Sequence, residues 1–399
     1  MKKDMNRANL ITVILFCGML ALFFYIGVLA PKDMSAAERE NRELKQMPAF
    51  NAETVFSGTF SKDFEDYLAD NVGYRSFFMD ISAKIDALKG IKTESGKIVS
   101  ANKDLGTGVQ GENQLLILSD RVMEVYKKDD AARDAYIQSL NGYAETLPES
   151  VRMFSMLVPT QIEFYEKQTV ADSEKDTIDT IYKNLNDRIT TIDAYSALKA
   201  GRDEYIYFRT DHHWTQRGAF LGYSAFCKTA FSKTPNLSDY KEHSRDGFLG
   251  YLYNQANDVS LASHADSIEW FEKGENVKVE ARAFEDGKFV DYETKMYTVP
   301  LLSEKPKYSL FMGGDHQFAK MHTKNTNGKT LLVIKDSYAN ALLPLLTEDY
   351  ETILVIDPRN YYGKVTDLIS EYNVDDCLFI NYVFTTTFSD FVGKLNEVK

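Results

Sequence analysis

Three rhythms of apolar and polar positions divide the chain. The first is an unbroken apolar run, LITVILFCGMLALFFYIGVLA at residues 10–30, with no charge over 21 positions. A helix rising about 1.5 Å per residue crosses a hydrocarbon core of roughly 30 Å with about 20 residues, so this run is long enough to span a membrane. The polar stretch PKDMSAAERENRELKQMP at 31–48 follows and reads as a juxtamembrane stalk. In the second rhythm, over 57–88, Phe60, Phe64, Tyr67 and Leu68 recur at helical spacing. That spacing predicts an amphipathic helix, a turn near Gly73 and another helix.

The third rhythm starts near residue 110 and alternates short apolar runs with amphipathic ones. QLLIL at 114–118 predicts a strand, the segment 120–147 a helix, and VRMFSMLVPT at 151–160 a buried strand. The alternation breaks over about 235–310, where glycines punctuate pieces such as VKVEARAF and KMYTV that read as short antiparallel strands. This segment is expected to be a small β-rich insertion beside the main core, a substrate-facing flap. Beyond it, TLLVIKD, YETILVID and DCLFINYVF predict strands, separated and followed by helical SYANALLPLL, YYGKVTDLISEYN and FSDFVGKLNEV. Apolar strands alternating with helices indicate an α/β fold, a parallel sheet with helices on both faces.

Charge adds direction. Lys2, Lys3 and Arg7 precede the apolar run, so the positive-inside rule places residues 1–9 in the cytoplasm and the rest outside. The resulting organisation is a transmembrane signal anchor at 10–30, a stalk at 31–56 and an extracytoplasmic domain at 57–399. A cleaved signal peptide is the rival reading; its apolar stretch is usually shorter, and Pro31 after VLA disfavours cleavage there. The 59 acidic against 46 basic residues give a net charge of -13. That balance argues against nucleic acid as a partner, because phosphate binding needs a basic face. Cys17, Cys227 and Cys377 lack paired metal-ligand spacing. Cys227 and Cys377 are expected to be two buried thiols rather than a disulfide.

Open α/β sheets bind ligands at the carboxyl ends of their strands, and two predicted loops there carry suitable chemistry. One contains Asp211, His212 and His213; the other contains Lys335, Asp336 and Ser337. A serine becomes a nucleophile when a base takes its proton, and an imidazole oriented by a carboxylate is such a base. The expected set is Ser337 as nucleophile, His213 as base and Asp211 as orienter. His212 would point away if the segment were extended. Blander roles exist for each residue: Ser337 or Asp336 as a helix N-cap, and the two histidines as structural groups beneath Trp214. Adjacent histidines in an extended segment point in opposite directions, so no metal site is expected. Five further candidates lie at the same edge. Arg359 can steady an acyl carbonyl or form a surface ion pair. Asn381 and Tyr382 can donate to an oxyanion or to sugar hydroxyls. Gly314 lies in a loop before the nucleophile strand and is otherwise a plain turn. Trp214 can stack on a sugar or pack behind His213.

RTDHHWTQRGAF and LLVIKDSYAN together resemble the DHHW protein family of Gram-positive bacteria. ENRELKQMP, SGTFSKDFEDYLADNVGYR and DPRNYY resemble other segments of that family. Its members are similar to the periplasmic alginate O-acetyltransferases, within the wider SGNH-hydrolase-like group. The resemblance implies a permuted SGNH-like sheet, because the D-x-H pair precedes the serine, and it gives Asp211, His213 and Ser337 the same triad roles. One departure is Lys335, where ordinary SGNH enzymes carry glycine before Asp-Ser.

The expected function is therefore a membrane-anchored extracytoplasmic O-acyltransferase. It would move an acetyl group through Ser337 onto a cell-surface or secreted polysaccharide, with no nucleotide or metal cofactor. Acetyl-CoA is cytoplasmic, and the resemblance implies a multi-span membrane acyltransferase that delivers the acyl group. Two alternatives remain: an acetyl esterase using the same triad with water, and a non-catalytic glycan-binding or assembly protein.

Overall fold

The computed structural model describes residues 2–30, 46–74, 77, 81, 91–93, 96–101, 114–165, 170–256, 258–285, 288–299 and 306–399. It divides into two compact units, one formed mainly by Met1–Gly90 and the other by most of the remaining chain. In the first unit the apolar run forms helix α1 (Lys2–Phe24), which ends in a wider turn over Tyr25–Leu29. The stretch Asn9–Gly27 is long and apolar enough to cross a membrane and is unburied. Helix α2 (Thr59–Asp70) carries the aromatic stripe, with Phe60 stacked on Phe64 at 5.5 Å. Most of the expected stalk, over 31–45, and of the helix expected beyond Gly73 lies outside the described residues.

The second unit begins with a four-stranded antiparallel sheet: β1 (Ile91–Thr93), β2 (Gly96–Ser100), β3 (Gln114–Ile117) and β4 (Val122–Glu124). This corrects two expectations. QLLI belongs to this small sheet rather than to the parallel one, and the helix expected from residue 120 starts only as α3 (Asp130–Thr146). The reason is local: the Asp129 carboxylate caps the helix by accepting from the N–H groups of Ala131 and Ala132, so the polar residues before it remain outside the helix.

Among the described residues the main sheet has eight strands. In chain order they are β5 (Arg152–Val158), β6 (Ile189–Thr191), β9 (Lys278–Glu285), β10 (Lys288–Lys295), β11 (Phe318–His322), β12 (Thr330–Lys335), β13 (Thr352–Ile356) and β14 (Asp376–Tyr382), with hairpin β7 (Lys241–Phe248) and β8 (Asp266–Glu272) forming a separate two-stranded sheet. Across the main sheet the order is β10-β9-β11-β13-β12-β14-β5-β6. The five strands from β13 to β6 are parallel; β11, β9 and β10 extend that core as an antiparallel edge. The sheet is thus mixed, and the stretch expected to stand apart as an insertion divides: its 278–295 hairpin joins the main sheet, while β7 and β8 do not. Hairpin connections can only add antiparallel strands, whereas the helical crossovers on the other side give parallel ones.

Helices cover both faces of the parallel core. Leu378 pairs with Phe154 and Phe379 with Ser155, so Phe154 and Phe379 point to opposite faces. Phe379 packs edge-on against Tyr143 of α3, and Phe154 against Phe226 of helix α4 (Gln216–Phe231). The terminal helix α5 (Ser389–Glu397) shares the α3 face, where the Tyr143 hydroxyl donates to the Leu395 carbonyl at 2.7 Å. All residues of β12 and β14 are buried, which is why both read as unbroken apolar runs. Cys227 and Cys377 are buried free thiols.

Candidate active site

Parallel strands deliver their carboxyl ends to one edge. Those of β12, β14, β13 and β5 run into Asp336–Ser337, Tyr382, Asp357 and Pro159 respectively. The DHH segment reaches this edge from a different direction. Tyr207 and Trp214 form an antiparallel bridge, and the Thr215 N–H donates to the Ile206 carbonyl at 3.0 Å. The bridge closes a narrow loop with Asp211, His212 and His213 at its tip. Thr215 then caps α4 by accepting from the Gly218 N–H. The buried Asp266 carboxylate on β8 holds the stem, accepting from the N–H groups of Arg209 and Thr210, each at 2.8 Å, and from the Tyr205 hydroxyl at 2.6 Å.

Three side chains form a line at the tip. The Ser337 hydroxyl lies 2.8 Å from His213 Nε2, and His213 Nδ1 lies 2.6 Å from Asp211 Oδ1. A carboxylate only accepts, so Nδ1 carries the proton and Nε2 is left to accept from the serine. Asp211 Oδ1 also accepts from the His213 backbone N–H at 3.0 Å, an Asx-type turn that locks D-x-H into one conformation. Its Oδ2 accepts from the Tyr251 N–H at 2.8 Å. Burial alone would raise the Asp211 carboxyl, but the adjacent His213 and His212 and these hydrogen bonds outweigh it and hold the group well below the usual carboxylate range. The His213 ring is sandwiched in position by Tyr308, stacked at 3.7 Å and 8°. Ser337 is half-exposed while its neighbours from Lys335 to Asn340 are buried.

The turn behind Ser337 differs from the expected α-helix. Ser337–Ala341 is a tight 3-10 turn, followed by one short helical turn at Leu343–Leu346. Asp336 is its cap, with Oδ1 accepting from the Tyr338 N–H at 3.0 Å. Asp336 Oδ2 accepts from the Thr385 hydroxyl at 2.7 Å, the Tyr382 N–H at 3.0 Å and the Asn381 amide at 3.2 Å. Burial raises the Asp336 carboxyl despite these partners. Lys335, the departure from glycine, is buried with its ammonium on Asp315, which Asn340 also contacts at 2.9 Å. Its side chain is part of the scaffold beneath the turn.

The other sequence candidates are placed in structural roles. Arg359 pairs with Asp357 and, at 3.2 Å, with Asp315. Asn381 is buried, its amide on Asp336 and its oxygen accepting from Tyr136 at 2.9 Å. Tyr382 uses its N–H on Asp336, and its ring stacks on Tyr338 at 4.8 Å. Gly314, at φ 109°, donates its N–H to the Phe311 carbonyl, so it is a turn glycine and not an open oxyanion donor. Trp214 is fully buried and donates to the Tyr338 carbonyl at 2.8 Å, which anchors the DHH loop to the serine turn. His212 does not point away. The segment bends, and the two imidazole rings lie 3.9 Å apart. Ligand atoms of Asp211, His212 and His213 lie within 4.8 Å of one another, and both His213 nitrogens are already engaged, with Asp211 and with Ser337.

Tyr308, Tyr251 and Gly250 escaped the sequence reading. They come from the segment that broke the α/β rhythm and have no fixed spacing from either motif. Gly250 is needed for close approach: a Cβ there would sit 2.3 Å from Asp211 Cβ.

A mixed α/β sheet with D-x-H and serine loops at its carboxyl edge defines the class to which this chain belongs. The model of the DHHW protein family matches residues 95–356, and the chain is a member of that family. A DHHW family protein from Eubacterium siraeum is similar at 29% identity and a TM-score of 0.64, covering 75% of this chain and 99% of that one. Bacillus cereus PatB1 is similar at 21% identity and a TM-score of 0.59, covering 69% and 98%, and its structure with a sulfonyl adduct at 20% and 0.61, covering 71% and 99%. No curated protein matches the chain.

Proposed function

We propose that this protein is a membrane-anchored, extracytoplasmic O-acetyltransferase acting on a cell-surface or secreted polysaccharide. The observation that carries the proposal is the continuous hydrogen-bonded line from Ser337 through His213 to Asp211, with links of 2.8 and 2.6 Å. His213 takes the Ser337 proton as Oγ attacks the acyl carbonyl. The tetrahedral intermediate collapses, and His213 returns that proton to the departing group, leaving an acetyl ester on Ser337. A sugar hydroxyl then gives its proton to His213 and attacks the ester. Collapse releases the acetylated sugar, and the proton returns to Ser337. The acyl donor would be supplied by a multi-span membrane acyltransferase, since α1 holds the domain on the far side of the membrane from acetyl-CoA.

A sulfonyl fluoride tests the nucleophile. In full-length protein held in detergent, the reagent is expected to label Ser337 and to leave Ser337→Ala unlabelled. Labelling that persists in that variant, or fails in the parent protein, would sink the assignment.

A further inference from the structure

Away from the triad, the main sheet carries a cluster of exposed aromatic rings. Phe284, near the end of β9, and Phe289, near the start of β10, stand opposite each other across the hairpin. Their ring centres lie 5.1 Å apart, and Tyr362, from the loop after β13, completes the group at 5.0 Å from Phe284 and 5.9 Å from Phe289. Phe284, Phe289 and Tyr362 are 45%, 53% and 66% exposed. The ring planes are inclined to one another at 58°, 44° and 67°, so no ring lies flat on another.

The register of the sheet places this cluster relative to Ser337. Ile334 on β12, Ile356 on β13, Phe318 on β11 and Arg282 on β9 stand level, each paired with the next. Two antiparallel pairings separate β9 from β13, so β9 points the same way as β13 and β12. Phe284 is two residues past that level and Ser337 three, which puts both at the carboxyl edge. Three strand spacings of about 4.8 Å separate β9 from β12, roughly 14 Å of sheet. One sugar ring cannot reach across that width, whereas a chain of linked sugars can.

The chemistry of the cluster suits such a chain. An aromatic ring has a negative face, which attracts the weakly positive C–H groups of a sugar ring. Groups for the hydroxyls stand beside it. Arg282 and Asp291 are paired two residues along the hairpin from Phe284 and Phe289 and share their face. The guanidinium donates to Asp291 at 2.6 and 3.2 Å and lies 5.9 Å from the Phe289 ring centre. Both side chains are exposed and together offer hydroxyl donors and acceptors without net charge. Other occupants fit less well. Rings of this size bury about 150–250 Å² each, so three that are already half covered offer roughly 300 Å². A stable protein interface takes roughly 800 Å² from each partner. Asp291 beside the rings and the net charge of -13 oppose contact with an anionic lipid surface.

We propose that Phe284, Phe289 and Tyr362 form an aromatic platform that binds the acceptor polysaccharide at a distance from Ser337, while neighbouring units of the same chain reach the triad. The inference rests on the acetyltransferase reading for the identity of its ligand and adds the surface that selects a polymer over a free sugar.

The test uses full-length protein in lipid nanodiscs of phosphatidylglycerol and phosphatidylethanolamine. Two probes are offered: cell walls isolated from the bacterium that makes the protein, and the polysaccharide precipitated from its culture fluid. The parent protein is expected to bind one of them. The triple variant Phe284→Leu, Phe289→Leu, Tyr362→Leu keeps apolar side chains and removes the aromatic faces. It should bind that probe about tenfold more weakly, equivalent to about 1.4 kcal/mol, with its thermal midpoint retained. Phe289→Trp keeps a ring and should bind as the parent does, with a shift in indole emission when the polysaccharide is added. Equal affinity of the parent and the triple variant, or a parent that binds neither probe, would overturn the platform. Quenching of the new indole by brominated lipid would overturn it too, and would give the rings to the membrane. None of these readouts involves Ser337. Ring-dependent binding by a protein whose Ser337 never becomes acetylated would leave the platform standing and sink the acetyltransferase reading alone.

Discussion

Asp211 does three things with one carboxylate: it closes its own turn, holds the His213 ring in one tautomer and receives the Tyr251 N–H. Replacing it with asparagine puts an amide where an acceptor is needed and frees the ring to take the wrong tautomer. Asp211→Asn should lower the rate of acyl-enzyme formation by about 10³–10⁴, measured as the p-nitrophenol burst rate. The sign of its pH effect follows from the depressed folded pKa. Its stabilising contribution is present above the unfolded value of about 4 and is lost as pH falls toward the lower folded value. Urea unfolding between neutral pH and about pH 3 should therefore be less acid-sensitive in Asp211→Asn. Gly250 makes a complementary case. A methyl group there collides with Asp211 itself, so Gly250→Ala should reduce activity by one to two orders of magnitude and lower stability by about 1–3 kcal/mol. A large loss of stability with full activity per folded molecule would contradict this.

At the scale of elements, the serine turn is clamped from outside its own strand. Asp336, just after β12, receives three donors from the end of β14 and the turn after it, which ties the two loops together. An asparagine cannot accept all of them, and one amide hydrogen would face a donor. Asp336→Asn should destabilise the protein by about 2–4 kcal/mol and slow sulfonyl labelling of Ser337, read by chemical denaturation and by labelling rate. The strands that build this edge were legible because buried parallel strands read as apolar runs, and the D-x-H and Asp-Ser motifs fall at their ends. Asp211, His213 and Ser337, grouped in the sequence by their chemistry together with the family resemblance, lie within hydrogen-bond distance of one another in line. The small sheet and the antiparallel edge were not legible, since a short apolar run such as QLLI does not state which sheet it joins. Nor was the approach of the His212 ring, which depends on a bend created by the Asp211 side chain rather than on strand alternation. Tyr308 and Gly250 act through tertiary contact alone, and nothing in their neighbourhoods marks them.

Over the whole molecule, burial sets a pH limit distinct from that of the site. Glu174 is fully buried, with Thr160 donating its N–H at 2.6 Å and its hydroxyl 2.5 Å from the other oxygen. Burial pushes its carboxyl up to about 8 against those bonds. A raised folded pKa means stability is complete below the unfolded value and is lost as pH rises through about 8. Stability should decline by an amount on the order of 3–5 kcal/mol between pH 5 and 9, and Glu174→Gln, which can reproduce both bonds to Thr160, should flatten that slope. Helix α1 and the wider turn that ends it contain a stretch, Asn9–Gly27, long and apolar enough to cross a membrane. As an uncleaved anchor it should keep the protein in the membrane pellet after alkaline carbonate extraction, with the α/β unit open to protease added outside the cell. Release into the soluble fraction would favour a signal sequence instead. The most direct test of the account is to trap the acyl-enzyme: full-length protein in detergent is mixed with p-nitrophenyl acetate, quenched in acid and mapped by peptide mass. The predicted result is a single acetyl ester on Ser337, formed far more slowly in His213→Ala; acetylation confined to other residues, or none, would contradict it.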